Sequence, residues 1–475
     1  MSPIRLVTAM ACAWAPFLFF QLGELADEAE HLHVAWMMGA LGKQPLDDFF
    51  QHHQPLLWDL LKSYYLLGGE GPGVFYFGRG LVVAATMLSV FGLSHGVSRW
   101  GPRGGVAAVA AMAYWILVNL ALSEGLVIRP ETIGMAALAL AFSLWMHAAA
   151  RPIGAAAFDL SAGLLCGAAL LASPRLALSM GLFVLAHRRE DKLLELRVVR
   201  LGALFGGVLL AWLGYLAITP HRLGDFWFNF RFSAHLQSVG DGDPRIVVPL
   251  AVVLVGSLIV LGALASRLSG LARLRLLVGI AYLIVTAAIS TETAGGFLYS
   301  QAFLGTWLLG ASLVGLGVAN LRLGGAASLR LATGVAGLVI LSTLGLAASQ
   351  FSRGLPLRGV VSWRVELSRI LGPEDRVLLP AGLHPVDRED ASYYGPPLVD
   401  AEDRLCRAVR TFAADLPACD YAEDLLRERP AATFSGLLKQ VDPARRTEVL
   451  LLLQQEYVLA QPLLLRRDTL SRVVQ

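Results

Sequence analysis

Residues 27–58 read DEAEHLHVAWMMGALGKQPLDDFFQHHQPLLW. This stretch follows an apolar run at 5–23 and precedes another at 74–94. Residues 24–59 hold seven carboxylates against one lysine, together with four of the ten histidines of the chain. Because charged groups are costly in hydrocarbon, this composition predicts that residues 24–73 form an aqueous loop of a membrane protein.

Apolar runs continue to about residue 350. Of the 475 residues, 56% are hydrophobic and 16% are charged, whereas soluble domains have roughly 25% charged residues. Many runs approach the roughly 20 residues that cross a bilayer as a helix, and together they predict a mainly α, polytopic membrane helical bundle of about eleven spans. The expected spans are 5–23, 74–94, 104–122, 132–150, 154–172, 174–187, 200–219, 246–266, 273–290, 298–318 and 330–349. We interpret the first as a retained helix rather than a cleaved signal peptide. The span at 174–187 is short, and we expect it to be tilted or broken.

The composition becomes that of a soluble protein after residue 350. We therefore expect a transmembrane domain at 1–350, which includes loop 24–73, and a small α or α/β C-terminal domain at 351–475. The elements expected in this domain are a helix at 361–371, a strand at 376–380 and helices near 401–413 and 444–456.

The distribution of basic residues predicts the orientation. With the N-terminus in the cytoplasm, fourteen Lys and Arg residues fall in inner loops and seven in outer connections. This asymmetry agrees with the positive-inside rule. Loop 24–73, the short loop 123–131, connection 219–245 and the C-terminal domain then lie on the outer face. A disulfide between Cys406 and Cys419 would require an oxidising compartment there.

Several classes of protein are disfavoured. The net charge of +3 is small and dispersed, without the basic stripe of a nucleic-acid-binding protein. The four cysteines form no metal-binding pattern. No internal repeat is visible, which disfavours an inverted-repeat transporter.

The acidic loop suggests proton transfer at the membrane surface. Asp27 could accept a proton from an acceptor hydroxyl while that hydroxyl attacks an activated carbon. An apolar stripe predicts an amphipathic helix lying in the membrane interface; its residues are Leu32, Ala35, Trp36 and Gly39. A capping box formed by Asp27 and Glu30 is the alternative explanation for those two acids. Potential metal ligands are also present; they are Glu28, Glu30, His31, His52 and His53.

Arginines on the outer side could bind a phosphate. Arg129 precedes Pro130 and Glu131 at the start of a span, and Arg175 stands where two apolar runs meet. Arginine binds phosphate in a bidentate manner, although it also extends to the interface from a helix end. Arg79 lies inside the second span, where a charge needs a partner.

The pattern resembles the GT-C superfamily of membrane glycosyltransferases. The order of segments is similar to that of protein O-mannosyltransferases and of the aminoarabinose transferases that modify lipid A. The order is an apolar span, an outer loop that opens with Asp27-Glu28, a helix, and the segment His52-His53-Gln54-Pro55-Leu56-Leu57-Trp58. Residues 24–58 carry the motif, whereas Arg129-Pro130-Glu131 and Ser173-Pro174-Arg175 match more loosely. This glycosyltransferase 39-related group has a lysine where the chain has Gln54, so Arg129 and Arg175 gain weight as phosphate ligands.

The resemblance implies a glycosyltransferase in a bacterial inner membrane. A sugar would pass from a polyprenyl-phosphate donor to a lipid, glycan or protein acceptor on the periplasmic face, with inversion. A divalent metal is the one cofactor implied. The resemblance implies Asp27 as general base, Glu131 as a second catalytic carboxylate, Arg129 and Arg175 for the donor phosphate, and His53 and His235 for the metal. The further candidates are Glu28 as a catalytic carboxylate, Arg79 for the donor phosphate, and His52, Trp58, Tyr299 and Gln301 for the acceptor or substrate. Tyr299 and Gln301 are alternatively residues of the interfacial belt.

The sequence is also compatible with two other functions. A transporter or flippase of a lipid-linked glycan would need polar residues deep within several spans, but the span interiors are mostly Ala, Leu, Val and Gly. A non-catalytic membrane scaffold would tolerate replacement of the carboxylates and histidines of the loop.

Overall fold

The structure of the protein is a computed structural model. It describes residues 2–20, 25–100, 103–122, 127–150, 155–185, 193–238, 244–294, 303–321, 324–352, 356–395, 404–413, 415–439 and 441–474. The α-helices of these residues are α1 Pro3–Phe20, α2 Leu25–Ala40, α3 Leu56–Leu61, α4 Ser63–Leu66, α5 Val74–Ser98, α6 Gly104–Ala121, α7 Pro130–Ala150, α8 Ala155–Ala172, α9 Gly181–Leu185, α10 Leu193–Ile218, α11 Leu223–Ser238, α12 Pro244–Ser266, α13 Gly270–Ala294, α14 Leu304–Asn320, α15 Gly325–Ser352, α16 Pro356–Ile370, α17 Arg404–Phe412, α18 Tyr421–Glu428, α19 Arg446–Glu456 and α20 Arg467–Val474. The strands are β1 Val377–Leu378, β2 Ala432–Phe434, β3 Tyr457–Ala460 and β4 Leu463–Arg466.

The chain divides into two compact, discontinuous units. The apolar unit comprises Met1–Gly23, Arg79–Leu223 and Asp241–Gly354. The polar unit comprises Glu24–Gly78, Gly224–Gly240 and Leu355–Gln475. The chain last passes between the units close to the boundary expected at 350. The polar unit, however, also takes in the first loop and most of α11.

The predicted polytopic helical bundle is confirmed. Nine helical segments of the described residues are long and apolar enough to cross a membrane, and α14 is a shorter apolar helix. The nine are Pro3–Phe20, Gly71–Ser98, Gly104–Ala121, Pro130–Ala148, Ala155–Ala172, Val198–Ile218, Val247–Ser266, Gly270–Thr291 and Gly325–Ser349. The chain is therefore a multi-pass membrane protein.

The span expected at 174–187 is broken. Ser173 is extended, and Pro174–Met180 is a 3-10 helix that is followed by the short helix α9. Pro174 explains the break because proline cannot donate the backbone hydrogen bond that would continue α8.

Helices α8 and α10 of the apolar unit approach each other closely. A Cβ atom at Gly163 would lie 2.1 Å from the carbonyl oxygen of Leu204, and one at Gly207 would lie 2.2 Å from that of Leu160. Only glycine fits at these two positions, in keeping with the small residues that let membrane helices pack.

A buried ion pair joins the same two helices. The Nε and Nη2 atoms of Arg200 donate to the two carboxylate oxygens of Asp159 at 2.7 and 2.8 Å. Arg200 also donates to the carbonyl of Trp145 at 3.1 Å and lies 4.0 Å from the centre of its ring. The two opposite charges are thus paired and hydrogen-bonded in a buried position.

The C-terminal part of the polar unit is an α/β fold, as expected. Its four strands are ordered β1-β2-β4-β3, with β1 parallel to β2 and the other pairs antiparallel. The predicted helices and strand correspond to α16, β1, α17 and α19. Cys406 at the start of α17 forms a disulfide with Cys419.

We expect Arg200→Met to destabilise the apolar unit by about 3–5 kcal/mol, because removing one partner leaves Asp159 buried without its counter-charge. The change is measured as thermal unfolding of the protein in detergent. The exposed Arg267→Met is the matched control. The double variant Arg200→Met/Asp159→Leu should regain most of the lost stability. If Arg200→Met lost no more stability than Arg267→Met, the role of the ion pair would be contradicted.

Candidate functional site

Helix α2 carries the predicted general base. The helix begins at Leu25, so Asp27 and Glu28 lie in its first turn. Negative charge is favoured there by the helix dipole. The capping-box explanation is wrong, because Asp27 lies inside the helix and Oε1 of Glu30 accepts a hydrogen bond from Nε2 of Gln51 at 2.9 Å.

The apolar stripe of α2 is covered by protein rather than by lipid. Leu32 and Ala35 are completely buried. A Cβ atom at Gly39 would lie 3.0 Å from the carbonyl oxygen of Lys62. The expectation of an interfacial helix is thus corrected: α2 packs against α3, α4 and the turn Ala381–Leu383.

Glu28 faces a counter-charge from the C-terminal part of the unit. Glu28 is fully buried, and Arg364 of α16 is 1% exposed. Arg364 donates to the carbonyls of His384 and Gly382 at 2.8 and 2.9 Å and lies 4.8 Å from the ring centre of Phe75. Burial lowers the pKa of Arg364 to about 10, and the negative charge of Glu28 opposes that shift. Arg364 thus brings a positive charge close to Glu28.

His31 is a neutral core residue. Its Nδ1 atom accepts a hydrogen bond from Nε1 of the completely buried Trp58 at 3.0 Å. Burial, with a smaller contribution from the charge of His52, lowers the pKa of His31 to about 3. Trp58 packs with Val34, Met38 and Phe49, so it supports the loop from inside; its predicted contact with substrate stays a prediction.

Glu30, His52 and His53 could hold a divalent metal. Each offers a ligand atom, these atoms lie within 4.8 Å of one another, and all three side chains are partly exposed. Two imidazoles and a carboxylate are a donor set that suits zinc. Helix α11 fixes the histidine backbone, because Asn229 donates to the carbonyl of His53 at 2.7 Å and Ser233 to that of His52 at 2.8 Å. These residues therefore fit the metal that the resemblance implies.

His235 has other contacts. Its Nε2 atom lies 2.7 Å from Oγ1 of Thr411, and its ring stacks on Phe412. Two groups of three potential ligands occur among the described residues, Glu30 with His52 and His53, and His33 with His384 and Asp390, and His235 is in neither. Its role as a ligand stays a prediction.

In the apolar unit, the predicted phosphate ligands lie beside Glu131. Helix α7 begins at Pro130, which puts Glu131 in its first turn. Oε1 of Glu131 lies 3.8 Å from Nη1 of Arg175 and accepts a hydrogen bond from Ser173 at 3.4 Å. Arg129 is near enough for its charge to act on Arg175. Two guanidinium groups against one carboxylate leave a positive group that suits an anion.

The structure does not test the predicted roles of Arg79, Tyr299 and Gln301. Arg79 is buried within α5, and its Nη1 atom donates to the carbonyl of Leu18 at 3.5 Å. Tyr299 and Gln301 lie outside the described residues. Sequence reasoning missed four buried residues, His33, Arg364, His384 and Asp390. The composition of 381–390 (AGLHPVDRED) gave no sign of burial.

The fold and side chains define a polytopic membrane protein with a polar unit in which carboxylates and histidines cluster. The chain is similar to the crystal structure of ArnT from Cupriavidus metallidurans bound to undecaprenyl phosphate, with 13% identity, 97% of each chain covered and a TM-score of 0.58. The apo structure of the same protein gives 14% identity, 97% coverage of each chain and a TM-score of 0.42. The first likeness shows that the chain shares the fold of that protein. No family model and no curated protein sequence matches the chain.

We expect the full-length protein to bind Zn²⁺. Loss of a residue that hydrogen-bonds to a metal ligand lowers metal affinity roughly 10- to 100-fold. We expect His53→Gln and His52→Gln, which remove the ligands themselves, each to lower the affinity for Zn²⁺ by more than that. Equilibrium dialysis measures the affinity, with His95→Gln in the apolar unit as control. The same assay on His235→Gln tests its predicted role. If the His52 and His53 variants both bound Zn²⁺ as tightly as the wild type, the metal site at Glu30, His52 and His53 would be refuted.

Proposed function

We propose that the protein is a membrane glycosyltransferase that moves a sugar from a polyprenyl-phosphate donor to an acceptor on the outer face of a bacterial inner membrane. The observation that carries the proposal is the likeness, over 97% of both chains, to a structure bound to undecaprenyl phosphate. The carboxylates of α2 and the arginines beside Glu131 supply the chemistry that such a reaction needs.

Asp27 is the proposed general base. The acceptor hydroxyl oxygen forms a bond to the anomeric carbon while its proton passes to the Asp27 carboxylate. The bond from that carbon to the phosphate oxygen breaks, and polyprenyl phosphate leaves with the electron pair, so the configuration inverts. Asp27 suits this role better than Glu28, because Asp27 is partly exposed whereas Glu28 is buried opposite Arg364.

Arg129 and Arg175 are the proposed ligands of the donor phosphate. Their two positive charges exceed the one charge of Glu131 and would stabilise the charge of the departing phosphate. Gln54 is a poor substitute for the lysine of the family, since its amide donates to the carbonyl of Phe226 at 3.4 Å and its side chain is buried.

A metal held by Glu30, His52 and His53 would supply a positive charge that neutralises phosphate oxygens. The chain's own part in this is to position the three ligands, through the hydrogen bonds that α11 donates to the histidine backbone.

The proposed orientation puts the polar unit outside the cytoplasm. The disulfide between Cys406 and Cys419 supports it, because such bonds persist in oxidising compartments such as the periplasm. The excess of basic residues in the opposite loops supports the same orientation.

We expect Asp27→Asn to lower sugar transfer by about 10²–10⁴-fold, the usual contribution of a general base. The measurement is transfer of radiolabelled sugar from a lipid-linked donor pool by membranes that contain the variant at wild-type abundance. Asp47→Asn, an exposed carboxylate of the same loop, is the matched control. Full activity of Asp27→Asn would refute the assignment, and lipid flux across vesicles without covalent transfer would favour a transporter.

We expect Arg175→Gln to weaken binding of undecaprenyl phosphate at least about tenfold, since a charge-assisted hydrogen bond contributes roughly 1.5–3 kcal/mol. Native mass spectrometry of the purified protein with added lipid measures the bound fraction. Arg273→Gln, an exposed arginine of the apolar unit, should bind as the wild type does. Equal binding by both variants would contradict the phosphate site.

A further inference from the structure

A buried network joins α2 to the segment 381–390. Nε2 of His33 lies 2.5 Å from Oδ2 of Asp390, and Nε2 of His384 lies 3.2 Å from the other oxygen of that carboxylate. Both histidines are 0% exposed, and Asp390 is 6% exposed. The two rings lie 4.2 Å apart between centroids. Three titratable groups thus meet away from water.

The backbone of Val386 fixes the protonation of both rings. Its N–H donates to Nδ1 of His384 at 3.0 Å, so that nitrogen is an acceptor and the hydrogen of the neutral ring is on Nε2. Its carbonyl oxygen lies 3.0 Å from Nδ1 of His33, which must therefore carry a hydrogen. Nε2 of His33 faces a carboxylate and also donates. His33 is an imidazolium paired with the carboxylate of Asp390, and His384 is neutral.

The charges around the network agree with this assignment. Burial by itself would lower the pKa of His33, but the charge of Asp390 outweighs it and raises that pKa. Burial would raise the pKa of Asp390, but the charge of His33 and its hydrogen bond to Asp390 hold that pKa below its usual range. Burial lowers the pKa of His384 to about 4. The charged and titratable groups around His33 are Asp390, Asp387 and His384, with Glu30 on its own helix and Arg364 behind His384.

A metal ion does not fit this network. A histidine ligand must present an unprotonated nitrogen to the metal. Nε2 of His384 carries the hydrogen, because Nδ1 is already occupied by the amide of Val386. The group is therefore an ion pair between His33 and Asp390 with a neutral histidine, His384, beside it.

The backbone at this point is strained. Val386 has a φ of 70°, a conformation that a β-branched residue rarely adopts. Such strain persists only where the surrounding structure enforces it. Here both polar groups of Val386 are hydrogen-bonded to the histidines, which is what holds the residue in place.

The same C-terminal segment contacts the first loop at further points. The Phe50 amide donates to the carbonyl of Tyr393 at 2.7 Å, and the Tyr393 hydroxyl donates to the carbonyl of Leu46 at 2.9 Å. With Arg364 opposite Glu28 and Asp390 opposite His33, segment 356–395 supplies counter-charges along α2.

We propose that the His33–Asp390 ion pair makes segment 356–395 a positioning element for α2, and that sugar transfer requires it. His33 lies six residues after Asp27, about 9 Å along the helix at 1.5 Å per residue. Fixing the helix at His33 therefore fixes the direction of the Asp27 carboxylate. The consequence for activity rests on the proposed function, whereas the ion pair itself does not.

The test compares His33→Gln, Asp390→Asn and the double variant in full-length protein in nanodiscs. Amide exchange of peptides from α2 should be about 100-fold faster in Asp390→Asn and His33→Gln, because each leaves an unpaired buried group. The double variant should regain at least half of the protection on a logarithmic scale, since its two amides form a neutral pair. Glu389→Gln breaks the partly exposed pair with Lys43 between the same segments and should stay within about twofold of wild type. Additive losses, or an equal loss in Glu389→Gln, would overturn the proposal.

A measurement on the wild type needs no variant to fold. Exchange at the ring carbon C2 of each histidine, followed against pH, reports the charge of His33 directly. We expect His33 to titrate above the usual histidine range and His384 below it. The stability that His33 contributes is then present at pH 6.5 and below, and is lost as the pH rises through its raised pKa; the contribution of Asp390 is lost only as the pH falls through its lowered pKa. Titration of His33 at or below 6.5 would overturn the assignment.

Activity separates positioning from binding. With undecaprenyl phosphate as probe, Asp390→Asn should bind as the wild type does, while its kcat for transfer falls at least tenfold and the double variant recovers part of it. If Asp390→Asn had an unchanged kcat although its α2 amides exchanged fast, segment 356–395 would not position Asp27 for transfer, whereas the ion pair itself would still be supported. If the wild type transfers no sugar, the proposed function fails, and the exchange data still decide whether the ion pair fixes α2.

Discussion

Burial of ionisable groups on one helix is the constraint on which the polar unit depends. Within three turns, α2 carries Asp27, Glu28, Glu30, His31 and His33, and it lies inside protein rather than at a lipid surface. Buried charge is tolerated only when it is paired and hydrogen-bonded. Asp390 opposite His33 meets that condition. Arg364 supplies a positive charge near Glu28, and His31 stays neutral. The helix therefore depends on residues more than 300 positions further along the chain.

This dependence explains why the polar unit is discontinuous. The first loop, α11 and the C-terminal segment form one compact unit, because each supplies what another lacks. Helix α11 donates hydrogen bonds to the backbone of His52 and His53. The C-terminal segment supplies counter-charges, and its turn Ala381–Leu383 packs on α2 together with α3 and α4. The proposed general base, Asp27, would need a fixed direction relative to its substrate, and a helix held from several sides would provide one.

Local patterns were enough to predict much of the fold. Apolar runs near the length of a bilayer gave the helical bundle, and Pro174 explains the one expected span that is broken. The stretches expected to be helices or a strand after residue 350 correspond to α16, β1, α17 and α19. The start of α2 at Leu25, two residues before the expected cap, was missed because Asp27 and Glu30 fit both positions equally well. The counter-charges were missed because Arg364, His384 and Asp390 stand in sequence of ordinary soluble composition, and only long-range packing buries them. The predicted catalytic and phosphate-binding residues remain predictions, although Glu131 and Arg175 do lie together.

Under the proposed function, a lipid-linked sugar phosphate is the donor, and Arg129 and Arg175 bind its phosphate. A cryo-EM structure of the full-length protein in nanodiscs with undecaprenyl phosphate tests both points at once. We predict density for the phosphate in ion-pair contact with the guanidinium of Arg175 or Arg129, beside Glu131. A phosphate bound elsewhere, with both arginines turned to the lipid headgroups, would contradict the account.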